Sequence, residues 1–73
     1  MNKFEIGKQY LRPGLYIPSF WVTITSRTET TITFEEINFP GTTSEEYPIS
    51  YDEEGNEIVE VWRYYQESGY LRA

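Results

Sequence analysis

A chain of 73 residues with net charge −6 and neither Cys nor His has no room for a second core. It also has no route to a disulfide or to the usual zinc, iron–sulfur or haem ligation. So short a chain buries only about 60% of the surface it exposes when unfolded, and seven Tyr, four Phe and two Trp supply the ring area that can be buried instead. The expectation is a single small domain, 1–73, with no metal and no cofactor.

The opening residues, MNKFEIGKQY, lack the apolar stretch of a signal peptide, and no segment approaches the roughly 18 apolar residues of a spanning helix. A cytoplasmic protein with no membrane partner is expected. Phe4, Ile6, Tyr10 and Leu11 read as an opening strand broken at Gly7. Arg12-Pro13-Gly14-Leu15 reads as a turn, with Pro pre-set for its second position and Gly14 supplying positive φ at its third.

Ser19 to Arg27 and Thr30 to Glu36 are rich in Thr, Val, Ile and aromatics and alternate apolar with polar, as strands do. Pairing Ile24 with Ile32 sets Val22 against Phe34 and leaves Arg27-Thr28-Glu29 as the turn. A slip of one residue would scatter these side chains over both faces. Trp21, Thr23, Thr25, Thr31, Thr33 and Glu35 then share the outer face. Arg27, at the tip, is expected to meet a carboxylate of the chain itself.

Asn38 to Ser44 is a loop, and Glu45–Tyr51 with Glu57–Val61 form a second hairpin. In DEEGN, Asp52 to Gly55 suits a type I turn followed by left-handed Gly55. Counting outward pairs Asp52 with Asn56, Ile49 with Val59, Tyr47 with Val61 and Glu45 with Arg63. Trp62 to Gln66 is compatible with a strand or a short helical turn, and Tyr70-Leu71-Arg72 with a last strand that pairs with the first. The fold class is all-β: a small antiparallel SH3-like barrel or a strongly curled sheet of about five or six strands, an open meander being the other arrangement.

The acidity is not spread evenly. Residues 35–62 hold nine acids and no base: Glu35, Glu36, Glu45, Glu46, Asp52, Glu53, Glu54, Glu57 and Glu60. Such a block repels phosphate backbones, so direct nucleic-acid binding is not expected, and it attracts a protein with a basic surface.

The pattern Phe4-x-x-Gly7-Lys8-x-Tyr10, then Val22-x-x-x-x-Arg27-Thr28-x-x-Thr31-Ile32-Thr33-Phe34, then Gly55-x-Glu57 and Ala73, spans nearly the whole chain. It resembles small uncharacterised proteins of similar length from gut bacteria and their mobile elements, whose motif often has Lys where this chain has Thr30. The resemblance implies a bacterial, plasmid- or phage-borne origin and no particular activity.

Enzymatic chemistry finds little support. Ser–His and Cys–His pairs are impossible here. Gly7-Lys8 lacks the upstream Gly and following Ser or Thr of a phosphate loop. In Asp52–Glu57 the Gly comes too early for a calcium-binding EF-hand. The function expected is therefore a non-enzymatic protein-interaction module, with Trp21, Glu45, Glu46, Glu53, Glu54, Glu57, Trp62, Tyr64 and Tyr65 as candidate contacts. An acidic inhibitor that mimics nucleic acid, in the manner of anti-CRISPR proteins, is the alternative. Glycan stacking on Trp21 or Trp62 is the remote one.

Overall fold

The β-branched and aromatic runs do form strands, all of them antiparallel. The structure is a computed structural model that describes residues 1–73. One sheet contains β1 (Gln9–Arg12), β2 (Phe20–Arg27), β3 (Thr31–Glu36) and β4 (Tyr47–Pro48), in that order. The other contains β5 (Ser50–Tyr51), β6 (Glu57–Tyr64) and β7 (Glu67–Arg72). No helix is present, so none is long and apolar enough to cross a membrane.

One core lies between the sheets: Phe4, Tyr10, Val22, Ile24, Ile32, Phe34, Val59, Val61 and Leu71, with Phe20, Tyr47, Ile49, Trp62 and Ala73 packed against it. The alternation expected for β2 and β3 holds, because Val22, Ile24, Ile32 and Phe34 all point inward. Their pairing is shifted. Ile24 faces Phe34 and Val22 faces Glu36, two residues from the expected register, so the buried face is kept. The turn moves with it: the Thr28 N–H donates to the Thr31 carbonyl at 2.9 Å, leaving Glu29-Thr30 as the loop.

A β-bulge interrupts that ladder. Ile24 faces Phe34 and Ser26 faces the next residue, Thr33, so Thr25 is extra. An extra residue reverses the alternation beyond it. Arg27 therefore stands opposite Ile32, on the core side, where simple counting from Val22 would place it outside.

The second hairpin keeps the expected count at its turn. Ser50 faces Ile58 and Tyr51 faces Glu57. The Asp52 N–H donates to the Asn56 carbonyl at 3.0 Å, and Gly55 adopts φ +82°. Beyond that the expectation fails, because the run from Tyr47 to Tyr51 changes sheets at Ile49. Tyr47 pairs with Ile32, not Val61, and Glu45 has no ladder partner in Arg63. The Ile49 N–H donates across to the Thr30 carbonyl at 2.8 Å. Pro48 sits on the edge strand, where a missing donor is tolerated.

Three points that the sequence leaves open are decided by the structure. Residues 62–66 form the end of β6 and a tight turn, with no helical turn. The last strand is β7, and it pairs with β6, not with the opening strand. No ladder joins β1 to β7, so the two sheets do not close into a barrel. The opening strand is also shorter than expected: Phe4 is buried in an irregular segment, Ile6 is exposed, and the ladder starts at Gln9.

Candidate functional site

The acidic residues are put to different uses. Asp52 Oδ1 accepts from the backbone N–H groups of Asn56 and Glu54, both at 2.9 Å, and these bonds hold its carboxyl below the usual range, the Asn56 bond first. Glu35 accepts from the Gly41 N–H at 3.0 Å, and Glu60 from the Ser68 hydroxyl at 2.9 Å. Glu45 and Glu46 are exposed before β4, whereas Glu53 and Glu54 are exposed in the β5–β6 turn. The run Tyr47–Tyr51, which changes sheets at Ile49, lies between the two pairs in sequence.

Glu57 departs furthest from its expected place on the surface. It is 1% exposed and is hydrogen-bonded to four residues from three segments of the chain. Its backbone N–H donates to the Asn2 carbonyl, and its carbonyl accepts from the Ala73 N–H, each at 3.0 Å. Its carboxylate accepts from the Phe4 N–H at 2.7 Å and from both terminal nitrogens of Arg27, at 2.6 and 2.9 Å. Arg27 Nη1 also donates to the Phe4 carbonyl at 2.8 Å. The Arg27 hydrogen bonds are the main cause that holds the Glu57 carboxyl below its ordinary range, against the opposing effect of burial. The same contact raises the Arg27 guanidinium above its own. Arg27 thus meets a carboxylate of its own chain, as its place near a loop tip suggested. No buried side-chain nitrogen or oxygen lacks a partner.

The widest cleft, about 950 Å³, lies beside this pair and includes Lys3, Glu5, Lys8 and Glu29 in its lining. Its charges oppose one another: Lys8 is bound to Glu5 at 3.2 Å and Arg27 to Glu57. Such a lining favours neither sign of ligand. No group of three or more Asp or Glu side chains is arranged to hold a metal ion.

The aromatic candidates separate more sharply. Trp21 is half exposed on the outer face of β2. Trp62 is a packing residue: its ring lies so close over Gly69 that an added Cβ there would stand 2.2 Å from ring atoms. Its Nε1–H donates to the Pro13 carbonyl at 3.0 Å, and Arg12 Nη2 donates to the Val61 carbonyl at 3.1 Å. These two bonds tie the loop after β1 to β6. The loop itself is tight, because a Cβ at Gly14 would come within 2.1 Å of the Ile17 carbonyl oxygen. Gly14 is needed for that close approach; positive φ, expected at Gly14, falls instead on Tyr16, at +63°.

Tied in this way, the loop brings Tyr16 against Tyr64. Their ring centroids are 5.7 Å apart at an interplanar angle of 86°, and Tyr64 meets Tyr65 at 4.4 Å and 78°. Tyr65 occupies the two-residue turn between β6 and β7 with φ +55°, a position that normally belongs to Gly, Asn or Asp. Tyr16 and Tyr65 are the only non-glycine residues with positive φ, and they are 83% and 82% exposed. The three rings, with Leu15, Gln66 and Glu67, line a cleft of about 580 Å³.

Tyr64 and Tyr65 were expected as contacts, and the structure brings them together; Tyr16 was missed. Its only signal was position, two residues beyond Pro13-Gly14 in a segment with no periodicity to read. No family model, curated protein or solved structure matches this chain.

Proposed function

We propose that this chain is a non-enzymatic, cytoplasmic protein-interaction module, of bacterial and mobile-element origin, that docks a protein partner through Tyr16, Tyr64 and Tyr65. One observation carries this reading. Left-handed backbone costs a non-glycine residue about 1–2 kcal/mol, and the chain accepts it at only two places, both of which hold solvent-exposed rings of one patch. Glycine at either place would relieve the strain, so packing alone does not account for tyrosine there. Exposed Tyr is also the residue type that dominates binding hot spots.

The test is capture from a bacterial lysate with three baits: wild type, Tyr16→Gly/Tyr64→Ser/Tyr65→Gly, and Glu45→Gln/Glu46→Gln/Glu53→Gln/Glu54→Gln. A partner that is lost with the ring variant and kept with the carboxamide variant supports docking through the rings. The reverse pattern moves the function to the acids and to the nucleic-acid-mimicking alternative.

A further inference from the structure

The chemistry of the tyrosine cleft also indicates what enters it. Tyr64 stands nearly perpendicular to both Tyr16 and Tyr65, so the cleft has aromatic walls in two orientations. Glu67 supplies its one ionisable group besides the phenols. Negative ring faces beside a carboxylate form a receptor for a cation. The chain's own cations do not fill it: Lys8 lies over Tyr10, Arg12 over Phe20 and Arg72 over Tyr70. Arg63 adjoins Tyr64 in sequence, but successive strand residues point to opposite faces, and it is absent from the lining. The −6 charge of the chain adds a field of the sign that attracts a basic partner.

We infer that the cleft between Tyr16, Tyr64 and Tyr65 receives an arginine side chain of a basic protein partner, its guanidinium stacked on the rings and hydrogen-bonded to Glu67. Arginine fits better than lysine because its planar, weakly hydrated head both stacks on aromatic faces and forks onto a carboxylate. The inference rests on the docking role given to these rings under Proposed function, and deepens it by naming the group that docks.

The test is a titration of the isotopically labelled protein, followed by amide and aromatic chemical shifts, with a short Gly/Ser peptide carrying several arginines. A second peptide has citrulline, the neutral isostere, at each arginine position. The expected result is movement at Tyr16, Tyr64, Tyr65 and Glu67, with binding of the citrulline peptide weaker by on the order of tenfold. Tyr64→Leu and Glu67→Gln should each weaken the arginine peptide while leaving the shifts of core residues such as Val22 and Val59 in place. Equal binding of the two peptides overturns the inference and leaves docking through the rings intact. Shifts confined to Glu45, Glu46, Glu53 and Glu54, or no shifts at all, overturn it as well; whether the rings dock a partner is decided separately by the lysate capture.

Discussion

Arg27 and Glu57 lie thirty residues apart in sequence and meet as a forked pair, Nη1 on Oε1 at 2.6 Å and Nη2 on Oε2 at 2.9 Å, with Phe4 hydrogen-bonded to both. Burying two charges is expensive, and such a pair holds only while its geometry is complete. Removing one partner leaves the other uncompensated. Glu57→Ala is expected to destabilise the fold by about 3–5 kcal/mol. For a small domain that is a large share of the total, so urea titration should find the variant largely unfolded at room temperature. Glu57→Gln keeps the volume and an acceptor for the Phe4 N–H, and should lose less.

Acid should reproduce part of that loss. The folded-state value of Glu57 lies below its ordinary value, so its contribution is complete above about pH 4.3 and disappears as pH falls through the lower, folded value. Asp52 acts in the same direction below its own ordinary value. Thermal midpoints measured on descending from pH 6 are therefore expected to hold until about pH 4.3 and to fall below it. In Glu57→Gln, folded at reduced stability, the decline should be shallower. An equally steep decline in that variant would show that other carboxylates govern the acid limb.

Gly69→Ala places a methyl group where the Trp62 ring now stands. The neighbour is a packed ring whose Nε1–H is bound to Pro13, so it moves only by giving up that bond. A loss of about 1–3 kcal/mol is expected, together with a shift of tryptophan emission to longer wavelength. Trp21 is half exposed in either case and contributes a constant background.

Two replacements of Tyr65 separate strain from packing. At φ +55° a β-branched side chain is the worst occupant and glycine the least strained. Tyr65→Val should therefore be less stable than Tyr65→Gly by about 1–2 kcal/mol, read from paired denaturation curves, although Val is the better strand former. Equal stability of the two would mean that the turn relaxes when the ring is removed.

Much of the core was legible from alternation. Val22, Ile24, Ile32 and Phe34 are the inward face that alternation predicts, and all four are buried. The turn at Asp52–Gly55 was legible because its residue types demand a particular backbone. What escaped were the places where the chain breaks its own period. The extra residue at Thr25 cannot be counted from an alternating pattern that runs on through Ser26. It leaves Val22 and Ile24 inward and reverses only Ser26 and Arg27 beyond it, which is why the inward residues were found while their partners were misjudged. The corner at Ile49 is hidden for the same reason: Tyr47 to Tyr51 reads as one strand, and only the competition of two sheets for its backbone bends it. The tyrosine patch joins a loop to a turn across 48 positions of sequence, Tyr16 to Tyr64, and neither segment has a repeating pattern.

The hub at Glu57 has a further consequence, for the order in which the protein can assemble as it is made. Phe4 precedes Glu57 by 53 residues. At ordinary rates of synthesis of about 5–20 residues per second, Phe4 waits roughly 3 to 10 s before the residue that holds it exists. Until then its backbone N–H lacks its carboxylate, although its ring already has Tyr10 to pack against. The segment around Phe4 is made well before the carboxylate that fastens its backbone, so at this corner of the molecule fastening waits on a residue made much later.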